Sequence, residues 1–161
     1  MSIYKKKHEL YQEYCRELDL YRSIPIVADD STVDIWCDDY INDPNCTWRN
    51  IFDKESGDLV GFLIIGKNGS EKHPDADYGI AQAYVKPEFR KIGLMTSAVH
   101  EYLEKHNGIY SLLVIKNNEY ALKFWSKLFA GADYKTCNLD ERFVNDNGDE
   151  LVLLGFKPSK N

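Results

Sequence analysis

The sequence predicts one mixed α/β domain built on a single sheet. An apolar run from Ile80 to Val85 is broken by Lys86-Pro87, and apolar residues then recur at Ile92, Met95, Val99 and Tyr102 with helical spacing. A second, fully apolar run spans Ile109 to Ile115 and gives way to a helical stripe at Ala121, Leu122, Trp125 and Leu128. Asn147-Gly148 then lies between two strand-like runs, a strong hairpin signal. Strands therefore precede, separate and follow the later helices.

Taken in order, residues 3–22 read as an N-terminal amphipathic helix, with Ile3, Leu10, Tyr14, Leu18 and Tyr21 on one side and Ser23-Ile24-Pro25 ending it. A second helix at 31–42 carries the stripe Val33, Trp36, Cys37, Tyr40 and Ile41, with Asp30 or Ser31 as N-cap. Asp29, Asp30, Asp34, Asp38, Asp39 and Asp43 cluster around it, either as caps and a solvated face or as an acidic lip for a cationic amine. After the turn Asp43-Pro44-Asn45, strands at 47–53 and 59–65 form a hairpin across 54–58.

Residues 66–77 are polar and read as a loop, in which His73 is either a base or, as a lone loop histidine before a proline usually is, simply solvated. The strand at 78–85 and its helix follow, with Gly108 as the C′ residue that ends the helix. A strand at 109–115 leads to Asn117 or Asn118 as cap of a helix at 119–129. Strands at 134–144 and 150–156 flank the turn 145–149, and only the tail 158–161 is expected to be loose.

Composition narrows the function. The 161 residues suit a single domain, 1–161, and the net charge of −6 argues against a nucleic-acid binder, which shows a basic footprint. No apolar run approaches the ~20 residues that span a bilayer. The opening MSIYKKKHELY lacks the apolar core of a signal peptide, so no membrane partner and a cytoplasmic location are expected. Cys15, Cys37, Cys46 and Cys137 are scattered without a C-x-x-C, which reads as reduced thiols and no metal site.

Arg90-Lys91-Ile92-Gly93 places cations and a glycine at a helix entrance, where free N–H groups and the positive end of the dipole suit a phosphate. By itself that turn is a weak signal, because many βα turns carry a glycine and an arginine for packing and solubility. The order of the pieces adds more. Val85-x-Pro87-x-x-Arg90-x-x-Gly93 resembles the acetyl-coenzyme A signature of the GNAT N-acetyltransferase superfamily. Asn118-x-x-Ala121-x-x-Phe124-Trp125 resembles its downstream Asn-x-x-Ala-x-x-Phe-Tyr block, and Gly57 to Phe62 the hairpin leading into its third strand. The resemblance covers roughly residues 47–157.

It implies a mostly antiparallel central sheet flanked by helices, whose parallel strands 78–85 and 109–115 splay apart at a cofactor cleft. The pantetheine arm would pair with the backbone at Ala83, Tyr84 and Val85. The pyrophosphate would lie on the N–H groups of Lys91, Ile92, Gly93, Leu94, Met95 and Thr96, helped by Arg90 and the Thr96 hydroxyl. Asn118 and Phe124 fall on the pantetheine side. The implied reaction is direct attack of a neutral primary amine, from a small molecule or peptide, on acetyl-coenzyme A without a metal. A backbone N–H near Tyr84 would receive the thioester oxygen.

The chain departs from that pattern in several places. It opens on a helix where a strand is usual, so the first strand is displaced, confined to Pro25–Ala28, or missing. Met95 replaces a second glycine or alanine; its side chain can point inward while its N–H still serves. Trp125 replaces the tyrosine that commonly protonates the thiolate, and an indole N–H can bond sulfur without giving up a proton. Tyr120, two residues past Asn118, is the candidate replacement acid. For a base, strand 78–85 offers only Gln82 and, just before it, Asp77. Alternatives are a non-catalytic acyl-coenzyme A binding module that lost its acid, and an unrelated domain binding a nucleotide phosphate, against which no Gly-x-x-x-x-Gly-Lys-Ser/Thr occurs. A homodimer is the commonest assembly to expect.

Overall fold

The computed structural model describes residues 1–27, 29–67, 76–137, 142–144 (backbone course only) and 148–159. Helices α1 (Ile3–Asp19) and α2 (Asp30–Asn42) come first, then strands β1 (Cys46–Phe52), β2 (Leu59–Lys67) and β3 (Tyr78–Val85). A 3-10 turn, Pro87–Phe89, leads to α3 (Leu94–Lys105) and β4 (Tyr110–Ile115). The chain continues as α4 (Glu119–Phe129), β5 (Tyr134–Cys137), β6 (Arg142–Val144) and β7 (Glu150–Pro158). Among the described residues the strands form one sheet in the order β1-β2-β3-β4-β7-β5, with β6 also on β7. Every pairing is antiparallel except β3 with β4, so the sheet is the mixed, mostly antiparallel one expected.

Burial of β2 on both faces explains its unbroken apolar run. Leu63 and Ile65 pack with Val99, Tyr102 and Leu103 of α3 and Trp125 and Phe129 of α4. On the other face, Phe62 and Ile64 pack with Leu10, Tyr11 and Tyr14 of α1 and Val33 and Cys37 of α2. The sheet thus has an α3/α4 face and an α1/α2 face.

Several boundaries differ from expectation for physical reasons. Helix α1 stops at Asp19, whose carboxylate accepts from Arg22 Nη1 at 2.8 Å and from the N–H groups of Ile26 and Val27 at 3.1 and 3.0 Å. Those N–H groups are spent there, and residues 25–27 form no strand; Ala28 lies outside the described residues. Ile3, expected on the packed side, is 46% exposed. Asp29 rather than Asp30 or Ser31 caps α2, accepting from Thr32 N at 2.8 Å.

Gly108 is not a left-handed helix cap; α3 has already ended, with His106 as its cap. A Cβ on Gly108 would sit 2.8 Å from Asp77 Oδ2, which accepts the Ile109 N–H at 2.8 Å. The expected strand 134–144 is seen as β5 and β6, with 138–141 between them outside the described residues. His73 and turn residues 145–147 lie outside them too. Strand β7 continues to Pro158, and Ser159 N donates to Asp133 O at 2.8 Å.

Candidate active site

The sheet opens between β3 and β4. Their parallel register runs from Tyr78↔Tyr110 to Ile80↔Leu112 and stops, although β3 continues to Val85 and β4 to Ile115. The opening coincides with a bulge: Ile64 faces Gln82 and Ile65 faces Ile80, leaving Ala81 as the extra residue. A bulge bends and twists its strand, which carries β3 away from β4. Beyond it, Lys86 N donates to Val60 O at 2.9 Å, which sets the ladder's phase. The backbone groups of Tyr84 and Lys86 turn to β2, while alternation leaves those of Ala83 and Val85 on the open edge. A backbone N–H near Tyr84 was expected here; the ladder turns Tyr84's own N–H to β2 and leaves those of Ala83 and Val85 on either side of it at the gap.

At the end of β3 the chain turns into α3. Lys91 has φ 70° and Gly93 φ 83°. A Cβ on Gly93 would meet nothing within 4 Å, so the left-handed backbone rather than crowding asks for glycine, and the surface there is open. Gly93 is the N-cap of α3 and brings no side-chain cap. The N–H groups of Leu94, Met95 and Thr96 lack intrahelical partners and stand at the positive end of the helix. Lys91 is exposed, and Ile92 is 63% exposed. Met95 turns its side chain against the α3/α4 core, leaving its backbone to the surface. An open, glycine-capped helix start beside an unpaired strand edge fits a phosphate with an extended arm.

Arg90 takes a different place from the one expected. Its Nε donates to Val85 O at 2.7 Å and its Nη2 to both oxygens of Glu17. The guanidinium lies 5.5 Å from the Tyr84 ring centre and 5.2 Å from that of Tyr120. It therefore links the end of β3 to α1 and to the first turn of α4 across the mouth of the gap. Asn118 is buried and caps α4, its Oδ1 accepting from Ala121 N at 3.1 Å. Tyr120 is 43% exposed at this mouth. Trp125 is 6% exposed in the core, parallel to Phe129, with half-buried Phe124 edge-on at 5.0 Å.

On the α1/α2 face, the Tyr14 hydroxyl donates to Gln82 Oε1, and Gln82 Nε2 donates to the Tyr40 hydroxyl at 3.0 Å. Burial pushes both phenols above their ordinary pKa. Asp77, the other base candidate, sits at the opposite end of β3 and is engaged with Ile109. The acidic cluster is mostly structural: Asp29 caps α2, Asp30 pairs with Arg16, Asp34 accepts from Gln12, and Asp38 accepts from Tyr4 and His8. The described cysteines are free thiols, and burial pushes Cys15 up to about 11 and Cys37 up to about 12, far from a thiolate. Among the described residues there is no cluster suited to a metal ion, and no helix is long and apolar enough to cross a membrane.

Sequence reasoning missed Glu17, Tyr14 and Tyr40 as neighbours of the gap. Tyr14 read only as part of a helical stripe, and nothing local marks a glutamate that pairs 73 positions away.

Comparison with known proteins points the same way as the geometry. The model of the Acetyltransferase (GNAT) family matches residues 7–130. A solved structure titled histone acetyltransferase HPA2 and related acetyltransferase, from Corynebacterium glutamicum, superposes with a TM-score of 0.69 at 13% identity, covering 96% of this chain and 90% of that one. An acetyltransferase from Thermus thermophilus gives 0.66 at 15% identity, covering 98% and 93%. Arabidopsis thaliana NAA60, solved with acetyl-CoA, gives 0.55 at 13% identity, covering 92% and 95%. At such identities the likeness speaks for the fold alone. No curated protein matches the sequence.

Proposed function

The chain belongs to the GNAT acetyltransferase family, and on that premise we propose that it transfers an acetyl group from acetyl-coenzyme A to a primary amine by direct attack. The observation that carries the reading is the parting of β3 from β4 after Ile80 and Leu112, next to the glycine-capped start of α3. Ala83 offers its open-edge N–H and C=O and Val85 its N–H to the pantetheine amides, as an added strand would use them, while the Val85 carbonyl is taken by Arg90 Nε. The N–H groups from Lys91 to Thr96 hold the pyrophosphate, with Lys91 as the exposed cation. Arg90 fixes the turn across the mouth of the gap through Val85 and Glu17. An open-edge N–H of Ala83 or Val85 meets the oxygen on which charge develops, and Tyr120 is the acid for the leaving sulfur.

Cofactor binding tests the reading most directly. A ligand at about 100 times its Kd stabilises by about 2.7 kcal/mol, or roughly 5–10 °C for a domain of this size. Acetyl-coenzyme A and coenzyme A raise the melting point by that order, and ATP with Mg²⁺ does not; the reverse result removes the reading. One observation favours a second reading, a non-catalytic acyl-coenzyme A binding module: Trp125 is spent on the core, so the usual acid has no counterpart at its position. Thiol release on adding amines separates the two.

A further inference from the structure

Gln82 sits immediately after the bulge residue Ala81, at the point where β3 leaves β4. In the strand YGIAQAYV it is the one polar side chain that is not aromatic. It is half-buried and held from two elements, by Tyr14 of α1 at Oε1 and by Tyr40 of α2 at Nε2. A carboxamide clamped in this way still has one carbonyl lone pair and one N–H to offer. Its face matters as well. Both faces of the sheet carry packed core, and Gln82 turns to the α1/α2 face beside Tyr14 and Tyr40, so an acceptor that enters the gap between those helices and the sheet meets it.

We propose that Gln82 receives the acceptor amine on its free carbonyl lone pair, with Tyr14 and Tyr40 as positioning residues, and that it receives the amine already neutral. The proposal rests on the acetyltransferase reading above. A carboxamide takes no proton, and the groups around it supply no ready base. Burial pushes the phenols of Tyr14 and Tyr40 up, so both stay protonated. From α1, Glu13 faces Lys86 at 3.6 Å and Glu17 faces Arg90 at 2.8 Å. From α2, the Cys37 thiol is buried and pushed up to about 12. Tyr84, on β3 itself, is pushed up chiefly by burial, and β2 opposes with apolar Phe62 and Ile64. In the transfer, the amine nitrogen forms the new C–N bond and the C–S bond breaks with its electron pair on sulfur. One proton leaves the nitrogen for solvent, and one reaches the thiolate.

The test follows thiol release from acetyl-coenzyme A across pH, with primary amines from the weak base glycinamide to the strong base propylamine. Gln82→Ala and the length-conserving Gln82→Met should raise the amine KM by about tenfold and leave the KM for acetyl-coenzyme A unchanged. Tyr14→Phe and Tyr40→Phe should raise it less. The alkaline rise of wild-type kcat/KM should move with the basicity of the amine, and Gln82→Glu should add a limb of its own. An unchanged amine KM in a folded Gln82→Met protein, or an equal rise in both KM values, overturns the assignment. A limb fixed at one pH for every amine overturns receipt in the neutral form. If coenzyme A binds but wild type acetylates no amine, the acetyltransferase reading falls and takes this one with it.

Discussion

Arg90 turns its guanidinium into α1, where Nη2 donates to the Oε1 and Oε2 of Glu17 at 2.9 and 2.8 Å. Their side chains are 18% and 25% exposed, so water screens the pair only in part. Arg90 is thereby a strut between the first helix and the turn before α3. Glu17→Gln removes the charge and keeps the shape, and it should cost about 1–3 kcal/mol, lowering the melting point by about 2–12 °C. Coenzyme A affinity should change little. A loss of affinity without loss of stability would mean that Glu17 acts on the ligand rather than on the fold.

Gly93 separates backbone strain from charge. At φ 83° a side chain costs about 1–2 kcal/mol, yet a Cβ there meets nothing within 4 Å. Gly93→Ala should therefore lower stability modestly and keep most coenzyme A affinity. Gly93→Asp adds a negative charge at the helix start and should bind at least about tenfold more weakly than the alanine variant. Equal dissociation constants for the two, measured by calorimetry, would place the phosphate elsewhere.

Asp19 predicts an acid sensitivity. Burial opposes its charge, but Arg22 and the N–H groups of Ile26 and Val27 outweigh that and hold its pKa below the ordinary value. The folded pKa is thus lower than the unfolded one of about 3.9, so the stabilisation is complete above that pH and fades as pH falls through the folded value. Asp19→Asn should lower the urea midpoint near neutral pH, and the gap to wild type should begin to narrow as pH falls below about 4. A gap that persists at low pH would assign the effect to geometry alone.

The legible parts of the fold are those written locally. The run to Val85, the proline after it and the spacing from Ile92 to Val99 fix strand, turn and helix within twenty consecutive residues, 80–99. Met95 facing inward follows from the same spacing. The phase of β3 is not local. Whether Tyr84 or its neighbours face the gap depends on the ladder with β2 and on the bulge at Ala81, and one sequence carries neither. Gly108 shows the same limit: it read as a helix cap, but the Asp77 carboxylate is what requires it. The Arg90–Glu17 pair and the clamp on Gln82 join distant segments, so residue types alone gave no sign of them.

The proposed departure of the sulfur turns on Trp125 and Tyr120. Trp125 stacks on Phe129 with centroids 5.7 Å apart and planes at 18°, which is core packing. Tyr120 lies in the first turn of α4, 43% exposed, with the Arg90 guanidinium 5.2 Å from its ring centre. Tyr120→Phe should keep the fold and coenzyme A affinity while slowing thiol release by about 10²–10⁴-fold. Trp125→Tyr should instead destabilise by about 1–3 kcal/mol, because it gives up aromatic area and brings a hydroxyl into the core, and it should not speed turnover. Both are read from thiol release and melting of the same preparations. Full activity in Tyr120→Phe would leave protonation to water. Faster turnover in Trp125→Tyr would move the acid to position 125 and show that the core side chain reaches the sulfur after all.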